Sequence, residues 1–141
     1  MARHVVIAQA SDWRDGSMAP VEVEGHRIGL CRIGGTFYAF DDHCPHAGST
    51  LALGTLHGNA VECPRHEFFW RATDGAPLTT TYGHVPTFKV WVEGDDVLME
   101  MPDAWPEPAH WRNHPRREEL RRRHGFAPSG NPPSDGSAAP E

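Results

Sequence analysis

Apolar and polar positions alternate in short stretches through the first hundred residues, and a turn signal follows each stretch. His4 to Ala8 predicts a first strand, with a loop or turn at Ser11-Asp12-Trp13. Pro20 opens Val21-Glu22-Val23-Glu24, which alternates as a half-buried strand does. Gly25 turns the chain into Arg27–Ile33, and Gly34-Gly35 is a hairpin signal before the aromatic strand Thr36–Phe40. Further on, Thr55–His57 and Ala60–Glu62 flank Gly58-Asn59 as a small hairpin. Phe68-Phe69-Trp70 supplies an apolar strand, Asp74-Gly75 a turn, and Pro77–His84 a loop. Val85–Val92 and Val97–Glu100, around Glu93-Gly94-Asp95-Asp96, read as a final hairpin. Strands this short, with turns this regular, predict an all-β antiparallel sandwich or barrel.

The pattern changes at Pro102. Trp105-Pro106-Glu107-Pro108 does not continue a sheet. A short helix is predicted over 115–124, with Asn113 or His114 near its cap, Pro115 in its first turn and Gly125 past its end. Leu120 is the one apolar residue in that run, so the helix lacks a core-facing stripe and is marginal alone. Residues 127–141 are rich in Pro, Ser, Gly and Ala and are expected to be disordered. Trp105 and Trp111 are expected to pack the 102–126 extension back on the sheet.

A chain of 141 residues, 38% hydrophobic with net charge -6, predicts one globular domain over residues 1–101 followed by that extension. No stretch is long enough to span a membrane, and no apolar leader stands at the N-terminus. Residues 1–100 carry seven basic and thirteen acidic side chains, while residues 101–141 carry six of each. Five arginines crowd between Arg116 and Arg123, a run that reads as a solvated face with no nucleic-acid motif around it. Of three cysteines, Cys31 falls on the buried side of a strand, which leaves two for chemistry and points to a reducing, cytoplasmic setting.

Those two cysteines define the candidate site. Cys44-Pro45-His46 is followed, after sixteen residues, by Cys63-Pro64-Arg65-His66. Each cluster offers a thiolate and an imidazole from one tight loop, and the proline after each cysteine fixes the backbone angle. Two Cys and two His can hold one zinc, or an iron–sulfur pair with the cysteines on one iron and the histidines on the other. Asp41 and His43 precede the first loop; Glu107, His110 and His114 superficially form a second donor set, but Pro108 and the lack of an enclosing apolar pocket argue against it.

The mixed order Cys-x-His and Cys-x-x-His, with Asp41-Asp42-His43-Cys44-Pro45-His46-Ala47-Gly48, Leu51, Gly54-Thr55-Leu56, Gly58, Val61 and Cys63-Pro64, resembles the Rieske iron–sulfur family. The resemblance covers roughly the first hundred residues. It implies a Rieske-like β fold with a small inserted cluster-binding subdomain over residues 41–76, and a 2Fe-2S cofactor held by Cys44, His46, Cys63 and His66. It also implies an exit for electrons at His46 and His66, which lie near the surface in the family. Replacing two thiolates by imidazoles leaves the oxidised core neutral, so reduction adds a single negative charge and the potential rises.

Within the family, the residues point to the low-potential, soluble ferredoxins that feed ring-hydroxylating dioxygenases. Ser49 and Arg65 stand where the respiratory proteins carry a bracing disulfide. Phe68 and Trp70 stand where those proteins place hydroxyl donors to the cluster, and lost donors lower the potential within about -150 to +300 mV. Arg65 and Glu67 replace the Trp and Gly usual in the ferredoxins, placing either solvated or partner-facing charges at the second loop. The implied role is a one-electron carrier, not catalytic alone, between a flavoprotein reductase and a terminal oxygenase or other redox enzyme, with no membrane or nucleic-acid partner. The alternatives are a small subunit of a nitrite-reductase-type enzyme and a zinc-stabilised interaction domain. Because the extension supplies no ligand, it is expected to be dispensable for cluster assembly.

Overall fold

The structure, a computed structural model, describes residues 3–45, 48–64, 68–79, 83–107, 109–111 and 115–126. Among the described residues ten strands form three antiparallel sheets, and the fold is all-β with one short α-helix. In the first sheet β1 (His4–Gln9) pairs with β10 (Asp96–Glu100), which pairs with β9 (Val90–Glu93). The second runs β2 (Met18–Val23), β3 (His26–Ile33), β4 (Thr36–Asp41) and β8 (Thr87–Phe88). The third is a small meander of β5 (Thr55–His57), β6 (Ala60–Glu62) and β7 (Phe69–Arg71).

Period-2 alternation explains how the second sheet serves two cores. Ile28, Leu30, Phe37 and Ala39 face the first sheet and bury against Val97 and Met99. Cys31 and Phe40, on the other face, bury with Leu51, Val61, Trp70 and Val85. The third sheet and both cysteine loops belong to this second core. Gly34 and Gly35, at φ 59° and 82°, give β3–β4 a tight two-residue hairpin between Ile33 and Thr36.

Three sequence expectations are corrected in detail. Pro20 lies inside β2, not at its start, and is tolerated because β2 is an edge strand whose missing N–H costs no ladder bond. The single strand expected over Val85–Val92 is split. Thr87–Phe88 pairs with β4, while Val90–Glu93 pairs with β10, and Glu100 N–H donates to the carbonyl of Lys89 at the break (2.9 Å). The chain thus crosses from one sheet to another at Lys89. The helix, α1, spans Arg117–Arg123, shorter than expected, with Pro115 and Arg116 in a preceding turn. Asn113 and His114 lie outside the described residues, as do residues 127–141.

Gly25, as anticipated, helps close the β2–β3 turn at φ 85°, but its neighbour Glu24 also takes a positive φ of 50°. The helix ends as its sequence suggests. Gly125 takes φ +86°, its N–H donates to Arg122 (3.3 Å), and Phe126 N–H donates to Arg121 (2.7 Å).

Candidate metal centre

Both cysteines sit at the base of loops closed in the same way. Cys44 N–H donates to the carbonyl of Ser49 (2.8 Å), and Cys63 N–H donates to the carbonyl of Phe68 (3.0 Å). In each case the acceptor lies five residues on, a span that contains His46 or His66 in sequence. Both thiols are buried, at 0% and 2% exposure, within one core cluster, and neither is in a disulfide. Two buried, unbridged cysteines in one core cluster, each at the base of a like-closed loop, fit a cluster held by two sulfurs and two imidazoles. His46, Ala47, Arg65, His66 and Glu67 lie outside the described residues. Among the described residues no group of three metal-ligating side chains converges, since two members of the expected set are not among them.

The first loop is cross-braced from within. Gly48, at φ +79°, donates its N–H to the carbonyl of Cys44 (2.7 Å). Arg27, reaching from β3, donates to the carbonyls of Asp42 (2.7 Å) and Gly48 (3.1 Å). Asp42 is fully buried, and its Oδ1 accepts from the N–H of Ala52 (2.7 Å). Burial pushes its carboxyl up to about 6, against the opposing pull of the Ala52 amide and Arg27. His43 pairs with Asp41 through Nδ1 (3.0 Å) and is half-buried, so it packs beside the loop.

The second loop is reached through the β5–β6 hairpin, whose strands match the sequence reading residue for residue. Trp70 is buried and donates Nε1–H to the carbonyl of Gly83 (2.9 Å). Phe68 meets it edge-on at 6.3 Å. Neither aromatic carries a hydroxyl, and the indole N–H is committed to the backbone.

Cys31 takes the role expected of it. It is fully buried on β3, and burial pushes its thiol up to about 12. Glu107, one of the three residues of the discounted second donor set, is occupied otherwise. It accepts two hydrogen bonds from Arg117 (2.8 and 2.9 Å) and pairs with Arg121. Sequence reasoning missed Arg27 and His110 as supports of the loop. Arg27 reads as an outward residue of a strand, and His110 contacts the loop only through tertiary packing.

A three-layer antiparallel fold with two like-closed Cys loops in a shared core defines the class, a small iron–sulfur carrier domain. The description of the Rieske [2Fe-2S] domain matches residues 3–89, and the chain belongs to that family. The 3-phenylpropionate/cinnamic acid dioxygenase ferredoxin subunit of Escherichia coli (strain K12) is 37% identical over 81 residues, covering 56% of this chain and 76% of that protein. The ferredoxin of carbazole 1,9a-dioxygenase from Nocardioides aromaticivorans IC177 superposes with a TM-score of 0.65 at 27% identity, covering 68% of this chain and 95% of that one. A chain of the complex of reduced oxygenase and oxidized ferredoxin in carbazole 1,9a-dioxygenase gives 0.66 at 28% identity, covering 73% and 97%. A putative nitrite reductase NADPH small subunit gives 0.61 at 23% identity, covering 69% and 97%, which speaks to the fold alone.

The cofactor is therefore a Rieske 2Fe-2S cluster, and the zinc alternative falls away. The chain is a ferredoxin-type electron-transfer component and not a catalyst by itself. No helix among the described residues is long and apolar enough to cross a membrane.

Proposed function

We propose that Cys44, His46, Cys63 and His66 hold the cluster, and that residues 41–76 form the cluster-binding insertion on a base drawn from the rest of residues 1–101. The observation that carries this reading is the matched closure of the two loops, Cys44 to Ser49 and Cys63 to Phe68, with both cysteines buried in one core cluster. The cluster supplies one-electron redox chemistry. Around it the chain's own groups fix geometry: Arg27, Asp42 and Gly48 hold the first loop, and the β5–β7 meander holds the second. Loops tied by backbone hydrogen bonds move little on a change of charge, which favours fast transfer over bond-making.

The electron path runs from a flavoprotein reductase, through this protein, to a terminal oxygenase, in a reducing cytoplasm. The relatives named as dioxygenase ferredoxins, one described in a complex with an oxygenase, support the oxygenase end of this path. The potential belongs to the low branch of the family, because Phe68 and Trp70 offer no hydroxyl and Trp70 gives its N–H to Gly83. Electron paramagnetic resonance on anaerobically purified, dithionite-reduced protein tests the assignment. A rhombic signal with average g below that of an all-cysteine cluster is expected. A folded protein containing zinc and no labile sulfide would overturn it.

A further inference from the structure

Although the extension supplies no ligand, it reaches the first ligand loop. A Cβ placed on Gly48 would lie 2.7 Å from Cε1 and Nε2 of His110 and 2.9 Å from Nδ1. The imidazole therefore lies flat on the space that glycine leaves. The His43 ring stacks beside it at 6.0 Å and 22°. We infer that His110 is a positioning residue for electron transfer, bracing the Cys44 loop at Gly48 and keeping water from it.

Three anchors hold His110 there. Trp105 stacks on His26 at 3.9 Å and meets Phe88 edge-on, tying the start of the extension to the second sheet. Glu107 binds Arg117 and Arg121, locking the segment before His110 to α1. Trp111, next in the chain, is buried and packs against His124 (5.3 Å) and Phe126 (5.5 Å) beyond the helix. The extension is thus a strap whose fixed points lie on both sides of one imidazole. Its load falls on a residue that matters. Gly48 N–H bonds to the carbonyl of Cys44, and its own carbonyl accepts from Arg27, so a shift at Gly48 is felt at the cysteine. A ring that excludes water from this loop also leaves the reduced, more highly charged state less solvated, which holds the potential down.

The inference rests on the ligand assignment proposed above, and its test separates the two. Full-length His110→Ala and His110→Phe proteins are compared with the parent by hydrogen exchange, in loaded and metal-free forms, and by midpoint potential. His110→Ala should exchange about tenfold faster across residues 42–52, with β1 and β10 unchanged, and its potential should rise. His110→Phe keeps a flat ring on Gly48 and should restore both. Unchanged exchange in a folded His110→Ala protein, or a phenylalanine variant that behaves like the alanine one, would overturn the brace. An unmoved potential with faster exchange would overturn the exclusion of water. Should the parent show no Rieske signal, the ligand assignment fails, and exchange in the metal-free proteins still decides the brace.

Discussion

Gly54 lies against the backbone that carries Cys63, and Gly54→Ala is the sharpest probe of the site's construction. A Cβ there would lie 1.8 Å from the carbonyl oxygen of Glu62 and 3.1 Å from Cδ of Pro64, the residues on either side of Cys63. Ordinary contact begins at 3.4 Å, so the Glu62 carbonyl would have to retreat by about 1.6 Å. Glu62 is paired with Thr55 in the β5–β6 ladder, so the retreat cannot be absorbed by a rotamer change. Overpacking costs about 1–3 kcal/mol, and a backbone obstacle belongs at the upper end, on the order of a hundredfold in the folding equilibrium. The local effect is larger than the global one. Metal ligands tolerate displacements of about 0.2 Å, well under what this clash imposes beside Cys63. Purified Gly54→Ala should therefore be folded but deficient in iron and labile sulfide. Gly58→Asn is the matching control: Gly58 has φ +62° and open space around it, a conformation asparagine tolerates. Full iron content and an unaltered visible spectrum in Gly54→Ala would refute the reasoning.

Three further outcomes are expected. Cys31, fully buried on β3 with its thiol pushed up to about 12, should stay inert to a thiol reagent until the protein unfolds; modification of Cys31 in folded protein would contradict this. The Glu107 clamp should depend on pH. Burial pushes its carboxyl up, but Arg117 and Arg121 outweigh burial and hold it below its usual value of 4.5, so the clamp is intact above that pH and is lost as pH falls through the lowered value. Hydrogen exchange of residues 116–126, corrected for intrinsic rate, should rise with acid in the parent and be high at all pH in Glu107→Gln. Finally, His66→Cys should lower the midpoint potential if the cluster is retained, because a neutral ligand becomes an anion; a raised potential measured by redox titration would count against the charge argument.

The site was more legible than its supports. Cys44 and Cys63 announce themselves through the Pro that follows each and the His within reach, and the hairpin at Gly58-Asn59 could be read from turn chemistry alone. Trp70 and Phe68 were likewise identifiable by position. What periodicity could not reveal was the break at Lys89, because strand-forming residues stand on both sides of it and only tertiary pairing decides where the chain changes sheets. The extension was legible in part. Trp105 was expected to pack on the sheet and does, against His26 and Phe88, whereas Trp111 packs on His124 and Phe126 instead. The helix has a single apolar residue, so no local pattern encodes the Glu107 ion pair that attaches it.

The paired loop closures have a consequence for how far the sequence around the site can vary. Each is a main-chain bond from a cysteine amide to a carbonyl, Cys44 to Ser49 and Cys63 to Phe68, and uses no side chain of the accepting residue. The side chains at Ser49 and Phe68 can therefore be exchanged without removing the closing bond, while the five-residue span from each cysteine to its acceptor stays fixed.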